Sequence, residues 1–150
     1  MPDCFTNILL IDDDEEDVVL FRDALVEVSP TTALNVAHSC YWALKQIEDK
    51  TFGIPEGIFL DLVMPLMDGV DCVTLFKQDP ALKDVPIVVM SSSTFNTTEK
   101  LDNLYDLGVS YFISKPPSFS KLKEIIAKMV NTPSMYLQRS KESFYVNRVV

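Results

Sequence analysis

The chain has little positive charge. Thirteen Lys and Arg stand against 22 Asp and Glu, a formal net charge of −9 over 150 residues. Nucleic acid and anionic membrane surfaces are bound through clustered cations, so neither is expected as a direct partner. Long apolar runs are missing too: no stretch of about 18 residues is apolar enough to cross a bilayer. The start, Met1-Pro2-Asp3-Cys4, lacks the basic residues and apolar core of a secretory signal. Cysteine is scarce and odd in number, at Cys4, Cys40 and Cys72, with no CxxC pair. That spacing indicates neither a disulfide framework nor a zinc site, and free thiols point to a reducing, cytoplasmic setting. His38 is the one histidine. With no second ligand at metal spacing, it reads as structural. Internal repeats and low-complexity segments are absent.

What remains is an ordinary globular composition. Apolar residues make up 47% and charged residues 23%, which excludes a disordered chain. The length suits one domain, and a chain of this size buries about 68–70% of its unfolded surface. A core is therefore available without disulfide or metal staples.

The order of elements is strand then helix, five times over. Phe5 to Ile11 is an apolar run ending in the acidic stretch Asp12-Asp13-Asp14-Glu15-Glu16-Asp17. A helix is predicted over about 15–28, with Val18, Val19, Phe21, Leu25 and Val28 on its apolar face and Asp14 as N-cap. Leu34 to Ala37 is a second strand. Cys40 to Glu48 is a second helix, with Leu44 and Ile47 inward and Trp42 packing. Ile58 to Leu60, apolar throughout, leads into Asp61 as a strand buried on both faces would. Pro65 and Gly69 break the chain after it, and a third helix runs from Val70 to Gln78. Pro86 to Thr94 is apolar, then polar, as a fourth strand. Thr97 or Thr98 caps a helix to Leu107, with Gly108 at its C′ position. Val109 to Ile113 is the fifth strand, followed by Ser114-Lys115-Pro116-Pro117. Ser118 caps the last helix, to about Val130. Alternation of this kind demands a parallel sheet with right-handed crossovers and helices on both faces. The expected division is residues 1–131 as one domain, with 132–150 an extension without a domain of its own.

The chemistry converges on one edge. Side chains at the carboxyl ends of adjacent parallel strands share a crevice whatever their separation in sequence. Here those ends carry Asp12 and Asp13, Asp61, Ser91 and Lys115. Two carboxylates near 4 Å repel by roughly 4 kcal/mol at an effective dielectric of 20, which one lysine does not offset. A hard divalent cation such as Mg²⁺ does, and it keeps coordination positions open for a phosphate. Asp61 is then placed to accept a phosphoryl group, with Lys115 and a backbone N–H stabilising its oxygens and Ser91 donating a hydrogen bond.

Four motifs together resemble the receiver domain of two-component response regulators, of the stand-alone CheY-like type. They are Leu9-Leu10-Ile11-Asp12-Asp13, Phe59-Leu60-Asp61-Leu62-Val63-Met64-Pro65 with Asp68-Gly69, Val88-Val89-Met90-Ser91-Ser92-Ser93, and Phe112-Ile113-Ser114-Lys115-Pro116. They span about residues 5–130. The resemblance implies a doubly wound, flavodoxin/CheY-like α/β fold with strand order 2-1-3-4-5. It implies that Asp61 is the phosphoacceptor, and that Asp13, Asp61 and the backbone carbonyl of Val63 bind Mg²⁺ with Asp12 helping through water. It implies that Lys115 is the site lysine, and that Ser91 and Phe112 hold the switch positions. Relatives often carry Tyr or His where Phe112 stands, and a polar residue where Val63 stands. The implied donor is a histidine kinase or histidine phosphotransfer protein. The implied output is the surface of helix four, strand five and helix five, about residues 97–130, read by an unidentified partner; a homodimer stays open. Such a protein modifies itself at Asp61 and is not an enzyme on other substrates.

Two further readings stay open. One is a haloacid-dehalogenase-like phosphatase with Asp12 as nucleophile and Asp14 as acid/base. It lacks an acidic pair after Lys115 and leaves Asp61 without a role. The other is an interaction module independent of phosphorylation.

Overall fold

The computed structural model describes residues 4–62, 64, 68–92 and 97–148. Its sheet has β1 (Asn7–Ile11), β2 (Ala33–Ala37), β3 (Gly57–Asp61), β4 (Ile87–Ser91) and β5 (Tyr111–Ser114). Between them run α1 (Glu15–Val28), α2 (Cys40–Glu48), α3 (Gly69–Gln78) and α4 (Thr98–Leu107), and α5 (Phe119–Asn131) follows β5. A 3₁₀ turn (Pro133–Leu137) and a short α6 (Lys141–Phe144) close the chain. The strand order is β2-β1-β3-β4-β5, and every pairing is parallel. The doubly wound architecture and the 2-1-3-4-5 order are as expected.

Alternation along each strand builds two layers. Leu9, Ile11, Ile58, Leu60, Ile87 and Val89 face a layer holding Ala43, Phe76 and Leu104, from α2, α3 and α4. Ile8, Leu10, Phe59, Val88 and Met90 face Phe21, Leu25, Ile126 and Met129, from α1 and α5. Successive side chains in a strand point to opposite faces, so a strand covered on both sides shows no polar alternation. That is why β3 and β4 are buried at all five positions. Asp14, Thr97 and Ser118 cap their helices as expected, and Ser39 and Asp68 do the same for α2 and α3; each accepts a backbone N–H of the first turn. Gly108 has φ +101, a conformation that costs other residues a Cβ clash.

Four expectations need correction. Val19 is 47% exposed, because the buried stripe of α1 is Val18, Phe21, Ala24 and Leu25 and position 19 lies off it. Trp42 is half exposed on α2 rather than packed. The fifth strand starts at Tyr111, two residues later than expected. Cys40 and Cys72 are joined as a disulfide, with Cα atoms 5.8 Å apart, and Cys4 alone is free. The pair is 32 residues apart in sequence and meets because α2 and α3 pack on the same sheet face. Local spacing therefore carries no sign of it. Among the described residues, no helix is long and apolar enough to cross a membrane.

Candidate functional site

The crevice forms where the strands end. Asp61 is the last residue of β3 and Ser91 the last of β4. Asp12 and Asp13 follow β1 directly, and Lys115 follows β5. The parallel register aligns these ends, pairing Ile11 with Leu60, Asp61 with Met90 and Ser91 with Ser114. Asp12, Asp13 and Asp61 each offer a carboxylate oxygen, all within 4.8 Å of one another. The Lys115 Nζ lies 3.3 Å from Asp12 Oδ2 and 3.5 Å from Asp61 Oδ2. The structure thus brings together Asp12, Asp13, Asp61 and Lys115, from three strands.

Burial sets the electrostatics. Asp12 and Asp61 are buried, while Asp13 opens to solvent. Loss of hydration pushes the Asp12 carboxyl up to about 6. The Asp14 N–H donated to its Oδ1 at 3.0 Å and the nearby Lys115 ammonium only partly offset that burial. Burial alone lowers the pKa of Lys115, but the Asp17 hydrogen bond and the charges of Asp12 and Asp61 win, and the ammonium is held above its ordinary range. Acids outnumber the lysine, so the pocket has an unmet demand for positive charge. A carboxylate set with one exposed member suits a hard divalent cation that keeps part of its water shell. The acidic cluster can hold a metal.

Ser91 is fully buried, and its hydroxyl has no hydrogen-bond partner among the described residues. A buried hydroxyl left unpaired costs on the order of 1–3 kcal/mol, which an incoming acceptor would relieve. Its backbone is fixed to the lysine, because the Lys115 N–H donates to Ser91 O at 2.7 Å. Phe112 is core, 1% exposed, packed by Phe144 and Tyr145 from the end of the chain. Val63, assigned a metal-binding carbonyl, and Pro65 and Ser93 lie outside the described residues. His38 bridges Glu15, with Nε2 at 3.3 Å, and the Asp12 carbonyl, with Nδ1 at 3.3 Å. It stands outside the carboxylate cluster.

Sequence reasoning missed Asp17. Its Oδ2 lies 2.7 Å from Lys115 Nζ, closer than either Asp12 or Asp61. The signal was present but undifferentiated, since six consecutive acids span residues 12–17. Only the helical phase of α1, capped at Asp14, turns position 17 toward β5.

Comparison with known proteins agrees with this geometry. The response regulator receiver domain model matches residues 8–127. The two-component response regulator ARR6 of Arabidopsis thaliana is 27% identical over 142 residues, covering 89% of this chain and 74% of that protein. The crystal structure of the phosphorylated cyanobacterial phytochrome response regulator RcpA superposes with a TM-score of 0.74 at 27% identity. It covers 83% of this chain and 90% of that one. The Mn²⁺-bound form of response regulator Rcp1 gives 0.71 at 26% identity, covering 83% and 91%. The matched span runs from β1 into α5 and carries every strand end of the crevice, so this chain belongs to the response regulator receiver domain family of two-component signalling.

Proposed function

We propose that Asp61 accepts a phosphoryl group from a phosphohistidine of a histidine kinase or histidine phosphotransfer protein. A carboxylate oxygen attacks phosphorus, a P–O bond forms as the P–N bond breaks, and the departing imidazole takes up a proton. The observation that carries this reading is the cluster of Asp12, Asp13 and Asp61 within 4.8 Å, with the Lys115 ammonium 3.5 Å from Asp61. Asp13, Asp61 and the Val63 carbonyl would hold Mg²⁺, with Asp12 acting through water. When bound, that ion neutralises the carboxylates and the phosphoryl oxygens. Lys115 takes a share of the same charge, and Ser91 donates its unpaired hydroxyl to a phosphoryl oxygen.

The result is a switch. Moving a two-state equilibrium from 1:99 to 99:1 takes about 5.5 kcal/mol of differential binding. Hydrogen bonds to a charged group contribute roughly 1.5–3 kcal/mol each, so Ser91, Lys115 and one backbone donor suffice. Ser91 and Phe112 pass the change to the face of α4, β5 and α5, where a partner protein reads it. In this reading residues 1–131 are the signalling unit and 132–150 an extension. On the same reading the protein is no enzyme on other substrates. The phosphatase alternative, with Asp12 as nucleophile, leaves the Asp61–Lys115 contact unexplained.

The test is labelling by acetyl phosphate or phosphoramidate with Mg²⁺. Asp61→Asn is expected to abolish it with the fold intact. Asp13→Ala is expected to weaken Mg²⁺ binding at least tenfold by calorimetry, and unchanged affinity would count against the metal assignment.

A further inference from the structure

The end of the chain covers part of the face on which an output partner is expected. β5 is the outer strand of the sheet, and residues 145–147 lie along its free edge in parallel pairing, with Tyr145 bridged to Phe112. The Val146 N–H donates to Phe112 O at 3.0 Å. Asn147 clamps one residue twice: its Oδ1 accepts the Ser114 N–H at 2.9 Å, and its Nδ2 donates to Ser114 O at 2.8 Å. The Tyr145 hydroxyl meets the Ser114 hydroxyl, and its ring stands edge-on to Phe112 at 5.0 Å. Upstream, Phe144 is buried against Tyr105 of α4, and the Arg139 guanidinium lies 3.8 Å over the same ring.

These contacts abut the site. Ser114 precedes Lys115 in the chain and pairs with Ser91 of β4, and the Lys115 N–H is bound to Ser91 O. The clamped residue, Ser114, therefore sits beside both groups that a phosphoryl on Asp61 would recruit. In the unmodified site Lys115 is held chiefly by Asp17, and Asn147 fits that arrangement at 2.8–2.9 Å. A paired amide with two short bonds tolerates little displacement. A ligand shifts an equilibrium only through its differential affinity for two states.

We propose that the free edge of β5 is a strand-accepting interaction surface, that its occupant is this chain's own residues 145–147, and that modification of Asp61 weakens their docking. The unmodified protein then keeps the edge filled, and modification opens it to a partner. This rests on the reading of Asp61 as phosphoryl acceptor. The occupant is the chain itself, because the 3₁₀ turn and α6 carry the segment from α5 to the edge, and the α6 lysine, Lys141, also contacts Asp102 of α4.

Linkage supplies the test, since two coupled events must influence each other by the same factor. The full chain is studied by hydrogen exchange with and without Mg²⁺ and beryllium fluoride, a phosphoryl mimic, while ¹⁹F NMR reports the mimic's binding. Exchange at residues 142–147 is expected to speed up on binding, by about 5- to 150-fold. Asn147→Ala, which removes both clamp bonds, is expected to tighten beryllium fluoride binding by a matching factor. Bound fluoride with unchanged or slowed exchange in the tail would overturn the inference while leaving the Asp61 reading intact. Fluoride that never binds would remove both. A tail whose protection rises with protein concentration would assign the edge to a second copy of the chain and overturn docking within one molecule.

Discussion

Gly69→Ala isolates the link between packing and chemistry at Asp61. Gly69 opens α3, and its N–H donates to Leu62 O at 2.9 Å. A Cβ there would lie 2.8 Å from Leu62 Cα and Cδ1, and 3.0 Å from Leu62 O. Carbon atoms pack at about 3.5–4.0 Å, so the shortfall is roughly 0.7–1.2 Å. The Leu62 side chain can rotate away, but its Cα cannot, because the Leu62 N–H is bound to Met90 O at 2.9 Å. Because the Gly69 N–H is bound to Leu62 O, a shift of α3 also pulls on the chain just after Asp61. Overpacking of this kind costs about 1–3 kcal/mol, and the gain in helix propensity over glycine returns at most ~1 kcal/mol. The net loss of stability is therefore expected at roughly 0–3 kcal/mol by urea titration. A displacement near 1 Å at a reacting group costs on the order of 100-fold in rate. Acetyl phosphate labelling of the folded variant is thus expected to slow about 100-fold while the fold survives. Labelling at the wild-type rate, or slowed only in proportion to the unfolded fraction, would refute the reasoning.

Other perturbations address separate features. Without reductant, the unfolded chain is expected to expose one reactive thiol, Cys4, and three after reduction. Reduction should cost about 3–4 kcal/mol by urea titration from the loop that the Cys40–Cys72 bridge closes, and three thiols reactive at the outset would exclude the bridge. In metal-free protein, Asp12 titrates near 6 when folded, above its ordinary 3.8, so the native state binds more protons between those values. Stability contributed by this group falls as pH rises through that window. Asp12→Asn should therefore stabilise the metal-free chain by on the order of 1–3 kcal/mol at pH 8, with the gain shrinking toward zero near pH 4. A gain independent of pH would mean that ionisation of Asp12 is not its source.

How much of this was readable from the residues depends on the range of the interaction. β3 and β4 were plain, because Ile58-Phe59-Leu60 and Ile87-Val88-Val89-Met90 are buried on both faces and carry no alternation. The caps at Asp14 and Ser118 were equally plain, since an N-cap acts within its own helical turn. The cluster of Asp12, Asp13, Asp61 and Lys115 followed once strand ends were taken to share an edge. Pairings that depend on a helix's phase or a side chain's reach were hidden. Asp17 looked like its acidic neighbours until α1 turned it onto Lys115, 98 positions later. Cys40 and Cys72 needed two helices to pack on one sheet face. The docking of Tyr145 and Asn147 uses backbone pairing and one amide side chain, which leave no periodicity to detect.

The central claim is that Asp61 carries the phosphoryl group. Its most direct test is peptide mapping by mass spectrometry of protein labelled with acetyl phosphate and Mg²⁺. The expected result is a single acid-stable, base-labile phosphoryl on the peptide containing Asp61, absent from Asp61→Asn. A label on Asp12, or one that persists in the Asp61→Asn protein, would contradict it.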